Sequence, residues 1–217
     1  MRNKKGFTLA EVLVTLTIIG VVASMTIPSL IHDFQEKQWK VAFKKTFSEL
    51  NRANIKIKTD NDGILWQGFQ IGGIGDVDNM RNAYLDYMPA VKTRDKDEAV
   101  GECFTVASKL LNGADDNRIF PFFSRATLIT GVSLAFFRTS SQCTSTMGDL
   151  TSIVCGFMVI DVNNVKGPNT CGKDIYQVRI TKNGIVPDGS HGINEGDCHS
   201  SGWGTGCAAL VLKNEDY

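Results

Sequence analysis

No cysteine occurs in the first 102 residues of this 217-residue chain, and no charged side chain occurs from Val12 to Ile31. The first absence confines thiol chemistry to the C-terminal part, which holds all six cysteines: Cys103, Cys143, Cys155, Cys171, Cys198 and Cys207. An even count gathered in one half, behind an export-like start, points to disulfides formed in an oxidising compartment, the periplasm or the cell surface. The chain also lacks net charge, with 23 basic against 23 acidic side chains, so nothing in the total draws it to nucleic acid or another polyanion. Prolines number five, and there is no internal repeat or low-complexity tract. Fibrous and disordered classes are thereby excluded. With 42% hydrophobic and 21% charged positions, what remains is one globular domain, or one domain and an anchor.

The chemical motifs of common enzymes are missing as well. HGINEGDCHSSGWGTGC gathers His191, Cys198, His199 and Cys207, residue types that bind zinc, yet no Cys-x-x-Cys or His-x-x-x-His spacing appears. Cys198 and Cys207, nine apart across a glycine-rich loop, fit a disulfide more simply. GWGTGC lacks the strand-to-helix context and the lysine of a phosphate loop. No triad-like pattern supports a hydrolase.

What is there begins at the N-terminus. The 20 uncharged residues from Val12 to Ile31 suffice, as a helix, to cross the ~30 Å hydrocarbon core of a bilayer. Arg2, Lys4 and Lys5 precede them, and the positive-inside tendency then holds that end in the cytoplasm and sends the rest outward. A secretory signal peptide has a shorter apolar core, ~7 to 15 residues, and a small-x-small cleavage site, so a single-pass anchor is the better reading.

Lys5-Gly6-Phe7-Thr8-Leu9-Ala10-Glu11, followed by the apolar run and Pro28, resembles the class III signal of type IV pilins and type II secretion pseudopilins. The likeness covers about the first 30 residues. It implies that a prepilin peptidase cuts between Gly6 and Phe7 and methylates the new amine of Phe7. It implies that Glu11 meets the N-terminal amine of a neighbouring subunit during assembly, and that the helix can unwind between Gly20 and Pro28 in a filament. The partners it implies are the peptidase/methyltransferase, other pilin or pseudopilin subunits, and an inner-membrane assembly platform. Removing Arg2, Lys4 and Lys5 with the leader leaves 20 basic side chains against 23 acidic.

Glu11 has a local reading too. Thr8-Leu9-Ala10-Glu11 spells a capping box, in which threonine and glutamate satisfy the open N–H groups of a helix start. An ionised carboxylate at membrane depth costs a few kcal/mol or more and so has a partner or a task. Pairing with an amine and capping are both compatible with the pattern. Pro28 removes a helix hydrogen bond, and a kink near Ser24 is expected.

Beyond Ile31 the period stays helical. Trp39, Phe43, Phe47, Leu50, Asn54 and Ile57 form one stripe, so a single helix of roughly 75 Å from Thr8 to Ile57 is expected, its outer half packed on a head. Lys37, Lys40, Lys44 and Lys45 line the other side, where a solvated face is the default and nucleic acid is set aside. Asn61 to Gly75 reads as a loop, and Asp76–Met88 and Asp97–Leu111 as two helices. TLITGVSLAFF reads as two strands joined near Thr130-Gly131, with IVCGFMVIDV, IYQVRIT and CAALVLK as further strands. The expected fold is α+β: a long N-terminal membrane-spanning helix packed on an antiparallel sheet. The organisation is leader 1–6, transmembrane and assembly helix 7–31, amphipathic continuation 32–58 and extracytoplasmic head 59–217.

In the head, six cysteines allow 15 pairings. Sequence-local pairing gives Cys143 with Cys155 and Cys198 with Cys207, leaving Cys103 with Cys171. DVNNVKGPNTCGKD offers Asp161, Asn163 and Asp174, oxygen ligands suited to calcium. The loop lacks an EF-hand pattern, and a plain turn with no cofactor is preferred. The functional expectation is a structural, non-enzymatic filament subunit. The alternative is a membrane-anchored extracytoplasmic binding module that does not polymerise.

Overall fold

The computed structural model describes residues 6, 8–70, 76–98, 101–105, 107–116 and 122–215. Helix α1 (Leu9–Thr59) opens the chain and contains Pro28. By contacts the chain divides into two compact units, Met1–Gln38 and Trp39–Tyr217.

In the first unit α1 carries its apolar side chains on the surface. Leu13, Leu16, Ile19, Val22, Met25 and Leu30 are all exposed. The helix is long and apolar enough to cross a membrane. Its few hydroxyls are satisfied internally: Thr15, Thr17, Ser24, Thr26 and Ser29 donate to the carbonyls of Val12, Leu13, Val21, Val22 and Thr26. Such back-bonding lets a polar side chain stand in an apolar environment without an open donor. The helix assignment runs unbroken through Gly20 and Pro28.

In the second unit the expected stripe is the buried face. Phe43, Leu50, Asn54 and Ile57 are buried, and Trp39 and Phe47 pack partly covered against the same core. The stripe faces helix α3 (Val77–Leu85) and the sheet. Phe43 stacks on Tyr176 at 4.3 Å between ring centroids, and the buried Tyr84 hydroxyl donates to Asn54 Oδ1 at 2.6 Å. A short helix, α2 (Leu65–Gly68), lies within the segment read as a loop. Gly68 is required there, since a Cβ would stand 2.4 Å from Ile57 Cγ2. Residues 71–75 of that loop lie outside the described residues.

The strands are β1 (Ala90–Arg94), β2 (Ser108–Lys109), β3 (Asp115–Asp116), β4 (Ser124–Leu128), β5 (Ser133–Arg138), β6 (Ser145–Met147), β7 (Leu150–Asp161), β8 (Ile175–Thr181) and β9 (Gly184–Pro187). Among the described residues seven form one antiparallel sheet, ordered β1-β4-β5-β7-β8-β9 with β6 against β7, while β2 and β3 pair separately. Leu134, Phe136, Met158, Ile160, Val178 and Ile180 point to the helix side, and Phe137, Phe157, Val159 and Ile175 to the other. This is the α+β architecture expected of the sequence. The β8–β9 hairpin was not foreseen, although Lys182-Asn183-Gly184 carries its turn signal. Two side chains of α1 reach that edge: Asn51 Oδ1 accepts from Ile185 N at 2.9 Å, and Lys58 Nζ donates to Lys182 O at 3.2 Å.

Two expectations fail. Asp97–Leu111 is not a helix; it runs from a turn at 96–98 through bends to β2, with 99, 100 and 106 outside the described residues. Its carbonyls are taken from outside: Arg125 Nη2 donates to Glu98 O at 2.6 Å, and Phe104 is fully buried. Tertiary contacts override the local helical pattern here. CAALVLK is helix α4 (Cys207–Lys213), not a strand. Its alanines and leucines favour helix, Ala208 and Val211 enter the core three apart, and Asn214 ends it in the left-handed conformation at φ 62°.

Cys143–Cys155 and Cys198–Cys207 are disulfides, as the local spacing suggested. The third expected pair is absent. Cys103 and Cys171 are buried outside any disulfide, and the Cys171 thiol donates to Asp116 Oδ2 at 3.3 Å. Replacing both Cys198 and Cys207 by serine is expected to cost about 2–3 kcal/mol and lower Tm by about 5–10 °C. Thermal melts of the wild-type and doubly substituted full chains check this; an unchanged midpoint would show that the bond constrains nothing.

Candidate functional site

The N-terminal site is built on the first turn of α1. Thr8 N and Thr8 Oγ1 both donate to Glu11 Oε2, at 2.8 and 2.9 Å, and Glu11 N donates back to Thr8 Oγ1 at 3.3 Å. This is the complete capping box, so the local reading of Glu11 is realised. Among the described residues both bonds to the carboxylate fall on Oε2. Glu11 remains exposed within the chain, as does Gly6, and no atom lies within 4 Å of where a Gly6 Cβ would stand. Phe7, the expected mature N-terminus and methylation site, lies outside the described residues.

An anion in the first helical turn sits favourably against the positive end of the helix dipole. Capping therefore holds the carboxylate at the head of the apolar helix in one orientation. Such a group can accept a cation without a change of backbone. The basic stripe beyond it serves no common site: Lys37 and Lys45 are exposed, while Lys44 Nζ is bonded to Asn214 Oδ1.

In the head, the zinc reading of His191, Cys198, His199 and Cys207 fails, because the Cys198–Cys207 disulfide takes both sulfurs out of metal chemistry. The imidazoles bond to neighbouring hydroxyls, His191 to Ser190 and His199 to Ser201. Among the described residues no group of three or more His, Cys, Asp or Glu is placed to hold a metal.

The Asp161, Asn163 and Asp174 set is brought together by the β7–β8 connection, whose neck is closed by Val162 N donating to Asp174 O at 3.0 Å. Both aspartates are fully buried. Burial, and then the neighbouring Asp174 carboxylate, push Asp161 up to about 8. Burial likewise raises Asp174, against the hydrogen bonds from Thr170 N and Asn169 N that favour its charge. Asn169 belongs to this group and was not singled out in the sequence, where it reads as one more turn residue.

One cavity of about 280 Å³ opens on the sheet face away from α1, lined by Phe123, Phe137, Phe157, Asp116 and Gln177 among others. It is mostly apolar, with Phe137 and Phe157 at 5.0 Å between centroids.

Comparison with known proteins bears on the first site. The family model for the prokaryotic N-terminal methylation motif matches residues 1–27, so the chain carries the type IV pilin/pseudopilin signal. No curated protein and no solved structure matches the chain.

Proposed function

We propose, with a prepilin-type methylation signal as premise, that this chain is a structural subunit of a type IV pilus or type II secretion pseudopilus. In this reading it waits in the bacterial inner membrane, N-terminus cytoplasmic and head periplasmic. Cleavage between Gly6 and Phe7 frees an amine in the same layer as Glu11. Docking then neutralises the Glu11 carboxylate of one subunit with the amine of another, and the subunit joins a helical filament held by its N-terminal helices.

One observation carries this reading. The signal leads directly into a helix whose large apolar side chains, from Leu9 through Ile31, are exposed. Lipid covers such a surface before assembly, and neighbouring copies of the helix cover it afterwards. The capping box does not compete with this role, since it orients the carboxylate by Oε2 alone.

Glu11→Gln tests the proposal, because glutamine still closes a capping box but cannot pair as a charge. The expected result is normal processing to Phe7, read by N-terminal sequencing of the membrane fraction, with sheared filament reduced at least about tenfold. That loss corresponds to ~1.4 kcal/mol at the docking step. Normal filament yield from this variant would remove Glu11 from assembly, and an intact Met1 end in all wild-type material would sink the assignment. The aromatic cavity supports a second reading, an anchored binding module; in that case the chain is absent from sheared filaments.

A further inference from the structure

Antiparallel pairing lays two rows of side chains across the sheet face that looks away from α1. In one row Phe137 stands opposite Phe157 and Phe157 opposite Arg179; in the next Ala135 stands opposite Val159 and Val159 opposite Gln177. The first row is tall and the second has short apolar members, so a ledge of phenylalanine borders a shallow strip. Phe123, just ahead of β4, extends the ledge, its ring centre 5.3 Å from that of Phe137 and 5.6 Å from that of Phe157. The Arg179 guanidinium, held by Asp188, stands 5.0 Å from the Phe157 ring centre and braces that ring.

Asp116, Cys171 and Thr205 complete the lining of the cavity of about 280 Å³ over this strip. They come from β3, from the β7–β8 connection and from the loop before α4, and backbone bonds tie these segments together. Lys109 N donates to Asn169 O and Cys171 N to Lys109 O, both at 2.8 Å, and Leu111 N donates to Trp203 O at 3.0 Å. The walls are thus fixed by the chain's own bonds. Well-packed interiors have few gaps larger than a water molecule, so this is not ordinary core packing. An apolar cavity of ~150 Å³ accepts benzene, and by that measure this one has room for about two fused rings. Its polar groups are unequal. The Cys171 thiol donates to Asp116 Oδ2 at 3.3 Å and the Thr205 hydroxyl to Asp197 Oδ2 at 2.5 Å. The half-buried Gln177 carboxamide makes no hydrogen bond among the described residues, and it offers both a donor and an acceptor at an otherwise apolar wall. Among the described residues no lysine, arginine or histidine lines the cavity, so nothing there answers a carboxylate or a phosphate.

We propose that this cavity binds a neutral aromatic molecule of about two fused rings, packed on the Phe123, Phe137 and Phe157 wall with one hydrogen-bonding edge on the Gln177 carboxamide. The rings supply most of the attraction, through burial and through offset or edge-on contacts with the phenylalanines. The carboxamide supplies direction, since a ligand of the same shape without a polar edge forfeits that bond. The site goes beyond the filament role: it lies wholly in the head, and it binds whether or not the chain assembles.

The test melts the full chain in non-ionic detergent with two probes of one shape, indole, which carries an N–H, and indene, which does not. At a probe concentration roughly tenfold above Kd, indole is expected to raise Tm by about 3–6 °C, and indene at the same concentration by about half as much. Gln177→Leu keeps the bulk of the side chain and removes its polar end. It weakens indole about three- to tenfold, bringing its shift down to that of indene, and leaves the indene shift unchanged. Val159→Phe fills the cavity and abolishes both shifts. No shift from either probe in the wild type, equal shifts from indole and indene, or an indole shift that survives Gln177→Leu would overturn the site. Full shifts in a Val159→Phe chain that still melts cooperatively would do the same.

Discussion

On the proposed filament role, Gly6→Val is expected to leave Met1 as the N-terminus of every molecule and to remove the chain from sheared filaments entirely. The peptidase must bring the bond after Gly6 into a protein active site, and a residue with no Cβ lets the backbone approach closely. Valine adds a branched side chain at the residue preceding that bond. The same change is harmless to the fold, because nothing lies within 4 Å of the added Cβ position. Failure to process therefore reports on the peptidase and not on folding. It also withholds the amine with which the proposed docking pairs Glu11, so normal membrane insertion with loss of assembly is the expected result. Mass and N-terminal sequence of the membrane fraction, with head antibodies on the sheared fraction, give the result. Filaments at wild-type yield with a mature Phe7 end would refute the signal's assignment to this bond.

The largest loss of stability is expected from Asp188→Ala. Arg179 Nε and Nη2 donate to the two oxygens of Asp188 at 2.7 and 2.5 Å, and Asn194 Nδ2 adds a bond at 2.9 Å. The arginine is 5% exposed and the aspartate 0%. Removing one member leaves the other charge buried and uncompensated, at about 3–5 kcal/mol. That lowers Tm by roughly 6–20 °C for a chain of this size. The backbone carbonyl of Asp188 accepts from Ala209 N at the start of α4, a bond that alanine keeps, so the loss reports on the side chain. Replacing both members, with Arg179→Met and Asp188→Leu, recovers most of the loss, because no lone charge remains. A melt in which Asp188→Ala moves the midpoint by less than about 2 °C would show that the pair is solvated.

The first 60 residues were far more legible than the head. A helix declares itself by a period repeated over many turns, and Phe43, Phe47, Leu50, Asn54 and Ile57 hold that period. The capping box could be read from Thr8 and Glu11 alone, since its partners are three residues apart. CAALVLK could not be read in the same way, because seven apolar residues fit a strand as well as two helical turns, and only burial decides. Asp97–Leu111 failed for a different reason. Its structure depends on Arg125, a residue distant in sequence whose guanidinium captures the Glu98 carbonyl. Local disulfides were legible for the reason the capping box was, whereas Cys103 and Cys171, distant in sequence, are buried and form no disulfide. In the β7–β8 loop the acidic residues stood out, but Asn169 did not, because only the fold brings its backbone amide to Asp174.

The bond from Asn51 to Ile185 has a consequence for life at high density. Strand β9 ends the sheet, and its outward-facing amides would be those of Ile185 and Pro187. The first is occupied by the Asn51 carboxamide, and the second residue has no N–H to offer. An open strand edge invites a strand from another copy, the route to indiscriminate sticking. Here the long helix itself plugs that edge, so among the described residues β9 offers no vacant amide to a second copy, and crowded heads can lie side by side without fusing into a common sheet along it.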